Sequence, residues 1–165
     1  MFRKSSRIPT FLKNKHNGYP TTASEIVEPQ ESWIAVWPSE LAIVSNTGDW
    51  QVYEWFEIEA ASWDSALREL TIAFVDPAIE TLRVRFAADA NEQLLTMVHE
   101  RVERSIVCRN YVDLPSGSMA YGQIRRRADE SLFVQILVSA QPTQADMKEI
   151  AKLESELRDM VGLDF

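Results

Sequence analysis

The chain has 165 residues, 45% of them apolar and 25% charged, a length that buries roughly 70% of the unfolded surface and needs no metal or disulfide for a core. One cysteine, Cys108, excludes an internal disulfide, and no run approaches the roughly 18 apolar residues of a membrane span. The net charge of −8 is unevenly placed: residues 1–24 hold five basic and no acidic side chains, while the remaining 141 hold 12 basic and 25 acidic ones, a balance of −13 that opposes nucleic acid and anionic lipid.

Residues 1–24 read as a basic flexible arm, in which Arg3, Lys4, Arg7, Lys13 and Lys15 are interspersed with the breakers Pro9, Gly18 and Pro20. Its apolar content is too broken for a secretory signal. "SEIVEPQE" follows as acidic punctuation, and "SWIAVWP" opens the folded body as a strand with Trp33, Ala35 and Trp37 on one face and Ile34 and Val36 on the other. "ELAIVSN" is a second strand, and "NTGD" a hairpin turn in which Gly48 takes the positive φ. "DWQVYEWFEIE", "ELTIAFV" and "TLRVRFA" complete a five-strand antiparallel meander. The period then changes to 3.6 residues in "DANEQLLTMVHERVERS", where Leu94, Leu95, Val98 and Val102 share a face. Three more strands follow, "SIVCRNYVDL", "MAYGQIRRRA" and "LFVQILVSA", separated by "PSGS" and "DES". The last segment is helical, opened by a capping box of Thr143 and Asp146 and seamed by Met147, Ile150, Leu153, Leu157 and Met160. The expected class is α+β in the order β5-α-β3-α, with residues 1–24 an arm, 25–104 a meander plus helix, and 105–165 a β-β-β-α half packed on the first.

Two blocks carry a family resemblance. "WFEIEAASWDSALRELTI" presents Trp55, Ile58, Ala61, Trp63, Asp64 and Leu70 in the pattern W-x-x-I/V-x-x-A-x-W-D…L-x-V, and "VHERVERSIVCRNYVDLPSG" spans Val98 to Gly117. The pair resembles a family of uncharacterised actinobacterial proteins with a pleckstrin-homology-like (PH-like) N-terminal half, over about Ile26 to the C-terminus. The resemblance implies a PH-like strand meander and a bacterial cytoplasmic setting. It brings no reaction, cofactor or catalytic residue.

Catalytic chemistry is sparsely provided for. The two histidines are His16, in the arm, and His99, which faces Glu103 one helical turn on, the spacing of a solvent-side pair. Cys108 lies in the apolar run "IVCR", where a thiol serves as a core filler. One cysteine and two distant histidines do not make structural zinc, and five glycines form no phosphate loop. Glu54, Glu57 and Glu59 read as solvated strand charge. The sequence therefore points to no catalytic residue, metal or cofactor.

The charge feature of the body is "RRR". Along a strand Arg125 and Arg127 share a face with Tyr121 and Gln123, and Arg83 and Arg85 do the same in "TLRVRF". If those faces were adjacent, Arg83, Arg85, Arg125, Arg127 and Tyr121 would form an anion or partner contact; otherwise each arginine pairs with nearby acids. The five tryptophans fall within 31 residues and read as sheet core in preference to a ligand cage. The expected function is a non-catalytic cytoplasmic PH-like module that binds a protein or peptide. Two other readings stand beside it: an adaptor reaching nucleic acid or membrane through the basic arm, and an enzyme of unrecognised type using His99 or Cys108. Oligomeric state is left open.

Overall fold

A computed structural model of the chain describes residues 8–89 and 91–162. The protein is α+β, with antiparallel strands and two α-helices among the described residues. It divides into two compact units, Met1–Glu103 and Arg104–Phe165.

The first unit holds seven strands where the sequence suggested five. They are β1 (Thr22–Glu28), β2 (Ser32–Val36), β3 (Glu40–Ser45), β4 (Trp50–Glu54), β5 (Ile58–Asp64), β6 (Glu69–Phe74) and β7 (Leu82–Phe86). Their order in the sheet is β4-β3-β2-β1-β7-β6-β5, two meanders joined by pairing of β1 with β7. The additional strands have physical causes. The acidic "SEIVE" belongs to β1, where Thr22 and Ile26 are buried while Glu25 and Glu28 face outward. "DWQVYEWFEIE" breaks after Glu54, because the Glu57 carboxylate accepts the Glu54 backbone N–H at 2.7 Å and folds Trp55–Glu57 into a 3-10 turn.

That turn shapes the unit. β4 and β5 sit at opposite ends of the strand order yet are joined by three residues, so the sheet curls back on itself. The ring of Tyr53 on β4 accordingly lies 4.7 Å from that of Phe74 on β6. The β3–β4 hairpin closes with Gly48 at φ 91° and the Ser45 N–H donating to the Asp49 carbonyl at 2.9 Å.

Both faces of β2 and β3 are buried. Ile34, Val36, Leu41 and Ile43 are covered on one face, and Ala35, Trp37, Ala42 and Val44 on the other. The second face is covered by the N-terminal segment, whose Leu12 is 0% exposed within that cluster. Around it, the Trp37 indole N–H donates to the Gly18 carbonyl at 3.1 Å and Asn14 Nδ2 donates to Glu40 at 3.1 Å. Residues 8–20 are thus a packed cover, in place of the flexible arm expected for 1–24. Lys13 lies over the Tyr19 ring at 5.7 Å and Lys15 is exposed, whereas Arg3, Lys4 and Arg7 fall outside the described residues.

Helix α1 (Glu92–Ser105) follows β7. Asn91 opens it: its Oδ1 accepts the Leu94 N–H at 3.1 Å, while its Nδ2 donates to Thr22 Oγ1 at 2.9 Å and so ties the helix start to β1. Leu94, Val98 and Val102 are buried, as their spacing predicts, and Leu95 is half-buried.

The second unit has β8 (Ile106–Asp113), β9 (Met119–Arg126), β10 (Leu132–Val138) and α2 (Gln144–Met160). Its sheet runs β10-β9-β8, and α2 packs on one face through Leu153 and Leu157 against Ala120 and Ile124. Gly122 permits that approach, since a Cβ there would lie 2.3 Å from Leu157 Cδ1. The capping box forms: Thr143 Oγ1 accepts the Asp146 N–H at 3.2 Å, and Asp146 Oδ2 accepts the Thr143 N–H at 2.9 Å. Asp146 Oδ1 also accepts the Ser116 N–H at 3.0 Å, fastening the β8–β9 turn to the helix start. Hydrogen bonds from the Ser116 hydroxyl and then the Thr143 backbone hold the Asp146 carboxyl down to about 2.

Candidate functional site

In the first unit β5 is an edge strand, so one flank of its backbone lies beyond the β6 pairing. The strand carries a bulge between Ile58 and Ala60, after which the pairs Ala61–Ile72 and Trp63–Leu70 face inward. Ala61 and Ser62 are small. Where a large side chain would fill the space beside the helix, a groove of about 370 Å³ remains. Trp63, Leu70, Leu95 and Val98 give it apolar walls, and Ser62, Thr96, His99 and Glu100 supply polar atoms. Trp63 is half-buried and braced by Phe86, its ring 5.1 Å away. A second cleft of about 560 Å³ lies across α1, between Thr21, Pro38 and the helix residues Glu92, Gln93, Met97 and Arg101. Thr96 and Glu100 line both.

Three features meet at the β5 groove: the backbone of an edge strand, an apolar floor, and an acidic surrounding. Asp64 is exposed on the strand, and Glu100 and Glu103 are exposed on α1. The imidazole of His99 points to Glu103, Nε2 to Oε1 3.3 Å, with about two-thirds of each side chain exposed. His99 was expected as a solvent-side partner of Glu103; that it also borders a groove was not legible, because the sequence does not show which strand runs beside the helix. The signal that could have found the site is the run Ala60-Ala61-Ser62, three small residues on a strand.

The other residues singled out by sequence are distributed as follows. Arg83 pairs with Glu69 on the neighbouring strand at 3.2 Å, and Arg85 lies 4.0 Å from Glu28 on the other side. In the second unit Arg125 is 0% exposed and donates from Nη2 to Ser105 Oγ at 2.6 Å. A guanidinium in that position does not meet a solvent-borne anion. Arg127 lies over the Phe133 ring at 4.1 Å and donates to Ser131 Oγ at 3.3 Å. Tyr121 stacks on Tyr111 at 5.4 Å. The two arginine pairs belong to different units.

The tryptophans are dispersed over several strands. Trp37 and Trp55 are buried, with the Trp55 indole N–H donating to the Pro38 carbonyl at 3.0 Å. Trp50 packs on Trp37 at 5.8 Å and Trp33 on Phe11 at 6.2 Å, leaving Trp63 as the one beside the groove. Cys108 is half-buried among the apolar residues between β8 and α2. Among the described residues no group of three His, Cys, Asp or Glu is placed to hold a metal, and no helix is long and apolar enough to cross a membrane.

The fold defines an α+β protein with a curled seven-stranded sheet and a three-stranded sheet. No protein-family model, curated protein or solved structure matches the chain.

Proposed function

We propose that this protein is a non-catalytic cytoplasmic interaction module with a PH-like first half, and that it binds an extended segment of a partner protein along the β5 edge. One observation carries the reading: an edge strand with small residues runs beside an apolar-walled groove whose far side is α1. Backbone groups on an edge strand pair with an added strand, and the pockets beneath alternate side chains select its sequence. The partner segment has apolar residues at alternate positions for Trp63, Leu95 and Val98. It also carries net positive charge, to complement a body of 12 basic and 25 acidic residues. The PH-like assignment draws support from the placement of Trp55, Ile58, Trp63 and Leu70: the residues of the family-like pattern all lie on the 3-10 turn, β5 and β6, where they brace the curl.

A displayed library of random peptides selected against the full chain tests this. Binders should be basic and extended, should shift the amide resonances of Ala61 to Asp64 and of Leu95 to His99, and should protect β5 amides from exchange. Ala61→Phe, which fills the groove, should weaken binding at least tenfold while the melting temperature holds. Binders that perturb neither β5 nor α1, or that tolerate A61F, would refute the proposal.

A further inference from the structure

A different strand edge, in the second unit, has the pattern of a self-association surface. β10, Leu132–Val138, ends the sheet order β10-β9-β8, so the flank turned away from β9 carries no strand among the described residues. Natural edge strands are blunted by charge, proline, bulges or brevity. The opposite edge, β8, follows that rule with Arg109, Asn110 and Asp113 and a bulge between Ile106 and Cys108. β10 does not. Its sequence LFVQILV has six apolar residues and one amide, lacks any charge, pairs with β9 without a register shift, and is half-buried at every position.

The pattern is also symmetric about Gln135. Leu132, Val134, Ile136 and Val138 face the α2 core, and Phe133, Gln135 and Leu137 face the other way. We infer that β10 pairs antiparallel with β10 of a second copy of this chain, about a two-fold axis at Gln135. That register sets Leu132 against Val138, Val134 against Ile136 and Phe133 against Leu137, so apolar meets apolar on both faces. Gln135 meets its own copy. On this row Arg109 Nε donates to Gln123 Oε1 at 3.0 Å and Gln123 Nε2 donates to Gln135 Oε1 at 2.8 Å, so the polar rows of the two copies abut at the axis. Sliding the pair by one step on the same face sets the carboxamide against Phe133 or Leu137. A buried amide opposed to an apolar group is unfavourable, and a single polar residue of this kind selects register in paired helices as well. The interface is isologous, the same patch on both copies, as closed dimers require.

Sedimentation equilibrium of the full chain tests the inference: the mass should rise with concentration from 18.9 kDa toward twice that value. Leu137→Lys, which places a charge on the edge, should return the mass to the monomer's with an unchanged circular dichroism spectrum. Independently of whether that variant folds, Gln135→Cys in a Cys108→Ser background should form an intermolecular disulfide under mild oxidation, because directly opposed strand residues lie about 4.5–5.5 Å apart at Cα, within disulfide reach. Leu137→Cys in the same background, which faces Phe133 in this register, should cross-link at most a tenth as well. A monomer at every loading concentration overturns the inference. So does a dimer that survives L137K, or one in which Leu137→Cys cross-links better than Gln135→Cys.

Discussion

Replacing Gly122 by alanine tests how closely α2 is seated on its sheet. Two effects oppose each other. Alanine in a strand interior is favoured over glycine by roughly 0.5–1 kcal/mol through backbone entropy. Against that, a Cβ at 122 would lie 2.3 Å from Leu157 Cδ1, 3.0 Å from Ile136 Cδ1 and 3.4 Å from Leu153 Cδ2. Leu157 is 0% exposed and Leu153 3%, so neither side chain swings into solvent to make room. Overpacking of a filled core costs about 1–3 kcal/mol, and contact with three leucine and isoleucine methyl groups at once places this case in the upper half of that range. The expected net loss is about 1–2 kcal/mol, or roughly 2–8 °C in melting temperature for a chain of this length. A double-mutant cycle isolates the cause. Leu157→Ala alone should cost about 2–5 kcal/mol by opening a cavity. In that background Gly122→Ala should be close to neutral, because the atom it strikes is gone, giving a coupling of about 1–2 kcal/mol. Chemical denaturation of the four proteins supplies every number required. A neutral or stabilising G122A, or losses that simply add, would show that the glycine is not there to let α2 approach.

Leu12→Ala probes the N-terminal cover: with the side chain fully buried against Ala35, Trp37, Ala42 and Val44, the loss should be about 2–5 kcal/mol, and a loss below about 0.5 kcal/mol would mean that residues 8–20 contribute nothing to the first unit. Asp146 sets an acid limit on the second unit. Its carboxyl is held at about 2, below the unfolded value near 3.9, so its contribution is present above about pH 4 and is lost as the pH falls toward 2. The melting-temperature gap between the natural chain and Asp146→Asn should therefore narrow across that window, and a gap independent of pH would contradict the assignment.

Local chemistry was legible wherever it closed on itself. The Asn46–Asp49 turn, with Gly48 at positive φ, depends on four residues. The Thr143–Asp146 box and the Leu94, Val98, Val102 face depend on spacing along a single helix. What the sequence concealed depends on partners distant along the chain. "SEIVEPQE" looks like a loop because its acids dominate its composition, and it is a strand because Ile26 meets Phe86, sixty positions later. The packed N-terminus was hidden similarly, although a clue was present. A strand with Trp33, Ala35 and Trp37 on one face and Ile34 and Val36 on the other has no face left for water, so some segment must cover it. The breakers in residues 1–24 obscured which one, since Leu12 reads as an isolated apolar residue until the indole of Trp37 is seen bonded to Gly18.

The candidate site follows the same logic in a sharper form. A groove for an extended chain is defined by what its walls lack, and Ala60-Ala61-Ser62 gives no chemical signal when read alone. Its meaning comes from the strand order, which puts β5 at an edge, and from α1, which brings Leu95 and Val98 to face it. The arginines of the two charged strands are engaged locally, Arg83 with Glu69, Arg125 with Ser105 and Arg127 with Phe133. An arginine with such a partner would have to give up that contact before it could hold a ligand, and a buried one would also have to be uncovered. An edge strand gives up nothing of the kind, because its outward N–H and C=O groups exchange water for the backbone of a partner at little cost. On the proposed reading, strand edges, more than charged clusters, are where this chain gains binding energy.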